Sequence, residues 1–315
     1  MDNEEPQFDI RDTVLHTHSN VEFNKLCVRP HDQILLPGVE NWLYFKLYGN
    51  STRQNELLTL LFDELEKMKI GNILNKYFFI RYSDPKPHIR LRIEANNYCL
   101  AELFENSNKL FVKFREWGLI SSVVVDSYQR ETERYGGPQL IREAEEYFYQ
   151  ESRFMLKLLQ AKRLLLVNID EDLLVMSFLS GALDIFGLSL AEKVQFMDIY
   201  RVDTEYRKNF QKNRNRLMNI VDTSNNWENA KKNTEYAEVF DWINELFVCL
   251  NRFATKISEI DMDDELTNTR SEILASIIHM FCNRLFANTS RERKIYILSR
   301  HSLYALSQQH KHYRK

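Results

Sequence analysis

The 315-residue chain contains little glycine and little proline, with 8 Gly and 6 Pro against 20 Phe and 15 Tyr. This shortage predicts a folded, helix-rich globular protein with few long loops. The N-terminus is acidic and polar, whereas a signal peptide begins with basic residues followed by an apolar run. No window approaches the roughly 18 uninterrupted apolar residues of a membrane helix. We therefore expect a cytoplasmic protein without a membrane span.

Cysteine is scarce and scattered, and several common motifs are absent. The four cysteines stand far apart and form no C-x-x-C, so neither a disulfide framework nor a zinc site is indicated. The sequence contains no G-x-x-x-x-G-K-[ST], G-x-G-x-x-G, G-x-S-x-G or H-E-x-x-H motif. These absences argue against a nucleotide-dependent enzyme, a serine hydrolase of the usual type and a zinc protease. We expect no cofactor and no bound metal.

The net charge of −3 argues against a protein whose main task is to bind nucleic acid, because such proteins carry a strongly basic surface. The segment Arg201 to Arg216 is locally basic. It is either a patch for an acidic peptide or RNA, or a solvated helix face, and the second interpretation is favoured. The C-terminal His310-Lys-His-Tyr-Arg-Lys315 contains an isolated H-x-H, which is weak support for a metal site.

The sequence of the first half of the chain predicts strands and helices in the order β-α-β-β-α-β. The predicted strands are 42–48, 77–82, 88–94 and 119–128, and the predicted helices lie near 52–69 and 98–117. This order matches the ferredoxin-like split motif, a four-stranded antiparallel sheet with helices on one face. The other face of such a sheet is free to carry a functional site.

Almost everything from Pro138 onward predicts helix, with Pro138 well placed at a first helical position. The predicted helices lie near 138–165, 170–187, 189–200, 203–219, 235–259, 268–287 and 290–309. The fold class is therefore α+β, a ferredoxin-like antiparallel sheet with helices followed by an all-α half. We divide the chain into an N-terminal arm, 1–38, an α/β part, 39–137, and a helical part of the same domain, 138–315.

Charged side chains crowd the stretch Tyr128 to Gly137, which reads Y-Q-R-E-T-E-R-Y-G-G. Glu131 and Arg134 lie in this stretch, between an apolar run and the start of a predicted helix. Functional sites are often built where charged groups gather at the end of a strand. The alternative is a solvated strand end whose surface ion pairs stabilise the fold by ~0–1 kcal/mol each.

A second charged cluster lies in Pro87-His-Ile-Arg-Leu-Arg-Ile93. Arg90 and Arg92 stand two apart and alternate with apolar residues, so a strand places both arginines and His88 on one face. Two fixed guanidiniums that face the same way form a clamp for an anion.

His279 lies at the flank of the apolar stripe of a predicted helix, with Asn283 one turn further on. A histidine at such a position is more often a hydrogen-bonded core residue than a catalyst. An imidazole is nevertheless the side chain best suited to proton transfer near neutral pH. The residue pattern alone leaves both roles open.

Four ordered blocks give the chain a family resemblance. They read W-L-Y-F-K-L-Y, F-F-I-R-Y-x-D-P-x-x-H-I-R-L-R, Y-x-R-E-x-E-R-Y-G-G and S-x-x-H-M-x-x-N-R. Together, over about residues 40 to 310, they resemble the C-terminal domain of class I lanthipeptide dehydratases. The same domain occurs as a separate chain among thiopeptide-type bacteriocin biosynthesis proteins.

The resemblance implies a lyase that takes part in lanthipeptide or thiopeptide biosynthesis. In that family, a glutamylation domain uses glutamyl-tRNA to esterify Ser and Thr of a ribosomally made precursor peptide. The domain seen here then removes glutamate by β-elimination, leaving dehydroalanine or dehydrobutyrine. The resemblance assigns elimination to five residues, namely Arg90, Arg92, Glu131, Arg134 and His279.

The expected partners are therefore a glutamylated precursor peptide and a separate glutamylation-domain protein, with no direct contact to nucleic acid. One alternative is a thiopeptide cycloaddition enzyme on the same scaffold, a class that generally lacks this full charged set. Another is a non-catalytic module that binds a leader peptide or a partner. The full set of charged residues favours elimination, because binding a peptide does not require a histidine beside three arginines.

Overall fold

Two antiparallel sheets form the first part of the computed structural model, which describes residues 33–200, 204–227 and 234–313. The larger sheet has the order β3-β4-β2-β5, where β2 is Trp42–Tyr48, β3 is Leu74–Tyr82, β4 is His88–Ala95 and β5 is Ser122–Asp126. All its neighbouring strands are antiparallel. The predicted ferredoxin-like arrangement is confirmed.

The smaller sheet pairs β1, Ile34–Leu35, with β6, Tyr128–Gln129. The predicted N-terminal arm lies outside the described residues up to position 32, and its end contributes β1. The strand predicted over 119–128 is interrupted after Asp126, whose carboxylate accepts a hydrogen bond from the amide of Ser127 at 2.8 Å. The interruption lets β6 leave the larger sheet, and the Tyr128 ring packs 5.3 Å from the ring of Trp42.

Two helices cover one face of the larger sheet, α1 at Gln54–Ile70 and α2 at Leu100–Glu116. The ring of Phe45, fully buried on this face, lies 4.9 Å from the ring of Phe111 on α2. Leu57, Leu61 and other leucines of α1 are buried at helical spacing, as the sequence pattern indicates.

The second half of the chain is helical, as predicted. Its helices are α3 at Ile141–Arg163, α4 at Glu171–Ile185, α5 at Leu190–Phe196, α6 at Arg207–Val221, α7 at Thr234–Asp261, α8 at Arg270–Leu285 and α9 at Thr289–Tyr313. The helix predicted over 189–200 ends early, and Met197–Tyr200 forms a 3-10 turn. None of the described helices combines the length and apolar character that a membrane crossing requires.

Helix α8 is fixed to the edge strand β3 by paired hydrogen bonds. The side-chain amide of Asn283 donates to the carbonyl of Arg81 at 2.9 Å and accepts from the Arg81 amide at 2.9 Å. The guanidinium of Arg81 donates to the carbonyl of Arg284 at 2.9 Å. At its other end, α8 begins with a capping box between Thr269 and Glu272. These contacts place the helix that carries His279 beside the sheet.

Candidate active site

Arg92 lies in a box of aromatic rings on β4. The strand register places it opposite Tyr44 on β2 and Phe78 on β3. Its guanidinium carbon is 4.6 Å from the centre of the Tyr44 ring, 4.9 Å from that of Tyr128 and 5.4 Å from that of Phe78. The sequence predicted that the sheet face opposite the two helices is free. Around Arg92 this face is covered, and Arg92 is only 7% exposed.

Arg92 has no carboxylate partner among the residues that the structure describes, and its buried Nε has no hydrogen-bond partner there. A buried cation without a counter-ion costs several kcal/mol in desolvation, of which stacking on aromatic rings offsets roughly 2 kcal/mol. The Arg92 guanidinium could therefore bind an anion.

Arg90 lies on the same sheet face as Arg92, two residues before it on β4. Its guanidinium stacks 3.5 Å from the centre of the Tyr82 ring, and its Nε donates to Nε2 of His88 at 3.3 Å. Nδ1 of His88 donates to the carbonyl of Lys86 at 2.8 Å. Burial lowers the pKa of His88, which favours the neutral imidazole that accepts from Arg90.

A third cation on the same face is already neutralised. Nζ of Lys46 lies 2.5 Å from the Asp126 carboxylate, and this hydrogen bond lowers the pKa of Asp126. Arg90 and Arg92, by contrast, have no carboxylate within ion-pair distance in the part of the chain that the structure describes. The two arginines are therefore the cations on this face that are open to an external anion.

Glu131 and Arg134 form an ion pair beside α8. Nη1 of Arg134 donates to Glu131 at 2.8 Å, and its Nε donates to Oγ of Ser276 at 3.0 Å. The following Gly136 has φ +96°, and a Cβ there would lie 2.6 Å from the side chain of Leu140, so only glycine fits this turn. The charged stretch is thereby held against α8.

Arg130, the other guanidinium of that stretch, has a structural role instead. It forms an ion pair with the buried carboxylate of Glu145 at 2.7 Å, and the hydroxyl of Tyr128 donates to the same carboxylate at 3.0 Å. This network fixes the Tyr128 ring against Arg92. The sequence placed Arg130 and Arg134 in one cluster. In the structure, Arg130 pairs with Glu145 and Arg134 pairs with Glu131.

A small cavity joins residues from both clusters to α8. Arg92 and Glu131 line it together with aromatic side chains and two residues of α8, namely Phe78, Tyr128, Tyr135, Phe148, Met280 and Arg284. Of the five residues proposed from the sequence, the structure brings Arg92 and Glu131 to one cavity, with Arg134 bound to Glu131. Arg90 and His279 do not line this cavity.

His279 lies on α8 one turn after Ser276, the residue that binds Arg134. Its side chain is 31% exposed, and Nδ1 lies 3.0 and 3.2 Å from the two carboxylate oxygens of Glu292 on α9. Glu292 is buried. His279 is therefore neither a core histidine nor an isolated surface group, because it has a carboxylate partner and a partly exposed side chain.

A buried ion pair next to the cavity was not predicted from the sequence. Nη1 of Arg284, which lines the cavity, lies 3.0 Å from the Glu151 carboxylate on α3, and both side chains are at most 1% exposed. Burial raises the pKa of Glu151 to about 7, although the guanidinium opposes the shift. Glu151 is a single glutamate between Gln150 and Ser152 on an amphipathic helix, so no local pattern could single it out.

Among the residues that it describes, the structure shows no binding site at the other segments considered from the sequence. On α6, Arg207, Lys208, Lys212 and Arg214 are exposed, in keeping with a solvated helix face. Arg201 lies outside the described residues, and so do the side chains of the His310–Lys315 tail. Among the side chains that the structure describes, no group of three or more His, Cys, Asp or Glu is placed to hold a metal ion.

Comparisons with known proteins address the same region. A family model described as lantibiotic biosynthesis dehydratase C-term matches residues 42–304. The subtilin biosynthesis protein SpaB of Bacillus subtilis is 33% identical over 276 residues, which cover 87% of this chain and 26% of SpaB. The chain thus spans about a quarter of the length of that relative.

Two solved structures share the fold. The tRNA-dependent lantibiotic dehydratase MibB from Microbispora sp. 107891 superposes with a TM-score of 0.78 at 22% identity, over 87% of this chain and 29% of MibB. The pyridine synthase TbtD from thiomuracin biosynthesis superposes with a TM-score of 0.56 at 11% identity, over 84% of this chain and 98% of TbtD. Because the family model matches most of its length, the chain belongs to the lantibiotic biosynthesis dehydratase C-terminal family.

Proposed function

We propose that this chain is a lyase that removes glutamate by β-elimination from glutamylated Ser and Thr of a ribosomally made precursor peptide. The products are dehydroalanine from Ser and dehydrobutyrine from Thr. Arg92 is the observation that carries the proposal, because it is a buried guanidinium that lines a cavity without a carboxylate partner in the described residues. An anionic leaving group would supply that partner.

The charge pattern of a glutamyl ester matches the cavity. A glutamate that is esterified through its α-carboxyl group carries a free ammonium and a free side-chain carboxylate, and the departing oxygen becomes a second carboxylate. The planar fork of a guanidinium binds a carboxylate with two hydrogen bonds and remains protonated throughout the reaction. Glu131, in the same cavity, would bind the ammonium group, and Arg134 holds Glu131 in place.

Elimination also requires the transfer of a proton. The α-proton of a peptide residue is weakly acidic, so a base must remove it while nearby positive charge stabilises the enolate-like intermediate. His279 supplies the imidazole, on the helix that is bound to Arg134 through Ser276 and that lines the cavity through Met280. Arg90 adds positive charge on the sheet face.

Glutamylation is assigned to a partner, a separate glutamylation-domain protein that uses glutamyl-tRNA. Two relatives contain the matched segment within a much longer chain, which leaves room there for a further activity. SpaB is named for subtilin biosynthesis, and the matched segment is 26% of its length. MibB is named as a tRNA-dependent dehydratase, and 29% of it corresponds to this fold.

A synthetic precursor peptide with one glutamylated Ser tests the function. We expect the purified chain to convert it to the alkene and to release free glutamate without ATP, tRNA or added metal, as followed by mass spectrometry. The same peptide with an unmodified Ser should remain unchanged. A glutaminyl ester keeps the ammonium and the size but removes the side-chain charge, and we expect it to react more slowly.

Other outcomes would assign the chain differently. Failure on the glutamyl ester, together with ring formation from a peptide with two dehydroalanines, would indicate the cycloaddition activity. Binding of the peptide without conversion of either substrate would indicate a binding module.

A further inference from the structure

Glu292 is the partner of His279 and has no assigned role. We propose that Glu292 is a positioning residue for the elimination, one that holds the imidazole with its proton on Nδ1 and leaves Nε2 free to accept the α-proton. This inference rests on the proposed function and names a residue that the sequence interpretation did not.

The geometry restricts the imidazole to this tautomer. Both carboxylate oxygens of Glu292 face Nδ1 of His279, at 3.0 and 3.2 Å. A carboxylate only accepts hydrogen bonds, so Nδ1 must be the protonated nitrogen of the neutral ring. Nε2 then carries the lone pair, on a side chain that is partly exposed.

The backbone fixes the two residues relative to each other. Glu292 lies in the first turn of α9, where the helix dipole favours a negative charge. Only residues 286–288 separate α8 from α9, and the side chain of Asn288 accepts a hydrogen bond from the amide of Arg291 at 2.8 Å. The short connection and this cap hold the His279–Glu292 pair together.

The cations next to Glu292 are bound to other carboxylates. Arg291 donates to Asp172 at 2.6 Å. Arg293 forms two hydrogen bonds to Glu205, at 2.6 and 2.7 Å. In the part of the chain that the structure describes, the hydrogen bonds of the Glu292 carboxylate go to His279. Glu292 is therefore available to the imidazole and is not neutralised by its neighbours.

The proposed step balances as a base-promoted elimination. Nε2 of His279 takes the α-proton, and the electron pair of the Cα–H bond passes to the enolate-like intermediate and then forms the Cα=Cβ double bond. The Cβ–O bond breaks, and its electron pair leaves on the carboxylate of glutamate. The imidazolium that forms is stabilised by the adjacent Glu292 carboxylate, as in other histidine–carboxylate pairs, and it returns its proton to solvent.

Other charged or titratable groups lie on α8 and on the elements packed around it. They include Arg81 on β3, Arg134 after β6, Glu151 on α3, Asp172 on α4, Arg291 on α9, and Cys282 and Arg284 on α8 itself. Burial and the Glu292 charge raise the pKa of the Cys282 thiol, which keeps it neutral. Glu292 is the group in direct contact with the ring.

The test compares Glu292→Gln, Glu292→Asp and a matched control, Glu205→Gln. Glu205 binds Arg293, which follows Glu292 in the sequence. Glu205→Gln therefore removes a nearby carboxylate that does not contact the imidazole. On the glutamyl peptide we expect Glu292→Gln to lower kcat by ~10²–10⁴-fold. Glu205→Gln should retain the wild-type rate, and Glu292→Asp should recover part of it.

The kinetic constants separate positioning from a purely structural role. If Glu292 positions the imidazole, Glu292→Gln should lower kcat while KM and the melting temperature stay near their wild-type values, and Glu292→Asp should recover part of kcat. A structural role would instead lower the melting temperature of Glu292→Gln.

The tautomer can be read without any substrate. Long-range nitrogen–proton NMR correlations should show the Nδ1–H form of His279 in the wild type, and the signal is assigned by its loss in His279→Gln. An Nε2–H form in the wild type would overturn the inference. So would a Glu292→Gln variant with an unchanged kcat, provided that the wild type releases glutamate. A wild type that releases none would overturn the proposed function, and this role with it.

Discussion

Nε of Arg134 donates a hydrogen bond to Oγ of Ser276 at 3.0 Å and thereby joins residues 142 positions apart in the sequence. Arg134 follows the sheet, whereas Ser276 lies on α8. The loop before α8 adds a second connection, because the Asn268 side chain donates to the carbonyl of Arg134 at 3.1 Å. The ion pair between Arg134 and Glu131 and the imidazole of His279 are therefore positioned by the same helix.

Ser276→Ala should weaken this connection. A net loss of about 1 kcal/mol in the free energy of unfolding is expected for a partly exposed hydrogen bond, together with a roughly tenfold slower elimination as Arg134 loses its support. Ser177→Ala is the control, because that hydroxyl donates to the Leu173 carbonyl within its own helix. Denaturant unfolding and single-turnover kinetics measure both effects. Equal kinetic losses in the two variants would contradict a specific role for Ser276.

Arg92→Met should separate function from stability. Replacing a buried, unpaired cation by an apolar side chain of similar length removes a desolvation cost of several kcal/mol, and here the lost stacking offsets part of the gain. We expect an unchanged or higher melting temperature, with elimination slowed by ~10²–10³-fold. Thermal unfolding and glutamate release measure the two quantities.

Arg92→Lys tests the geometry of the same contact. Lysine keeps the charge but loses the planar fork, so recovery of the rate should be poor. Full activity in the lysine variant would show that charge alone suffices. A large loss of stability in Arg92→Met would instead show that the guanidinium serves the fold.

The Glu151–Arg284 pair predicts a pH-dependent stability. Burial raises the pKa of Glu151 to about 7, above its ordinary value of 4.5, so the folded state binds a proton that the unfolded state has released. The associated stability is present below pH 4.5 and is lost as the pH rises to about 7, on the order of 3 kcal/mol. Glu151→Gln should remove this slope.

Urea unfolding at several pH values between 4.5 and 7 measures the slope of stability against pH. Glu145→Gln is the control, since Glu145 is another buried carboxylate paired with an arginine. It should lower the stability while leaving the wild-type slope in this window. An equally flat profile in both variants would rule out Glu151 as the source.

The sheet was accessible to sequence reasoning because its signals are local. Alternation in His88 to Ile93 and the aromatic content of Trp42 to Tyr48 depend on neighbouring residues, and both segments form strands with nearly the predicted bounds. The break after Asp126 was missed, because β6 leaves the sheet to pair with β1, a contact between residues almost 100 positions apart.

The site was only partly accessible, for the same reason. Arg90 and Arg92 share a face through the period of a strand, so their common direction was predictable. The burial of Arg92 was not, since it depends on the Tyr128 ring and on two helices that pack from the second half of the chain. Glu292 carried no signal, because a glutamate in the first turn of a helix is explained by the helix dipole alone.

Strand β3 lies at the edge of the larger sheet, where unpaired amide and carbonyl groups usually invite a strand from another molecule. Asn283 occupies both backbone groups of Arg81, and Oγ of Ser152 accepts from the amide of Phe79 at 3.3 Å. Side chains of two helices thus take the place of a neighbouring strand. The contact that sets the position of α8 also covers backbone groups of the sheet edge, so a substitution of Asn283 should both displace the helix that carries His279 and expose the edge to another strand.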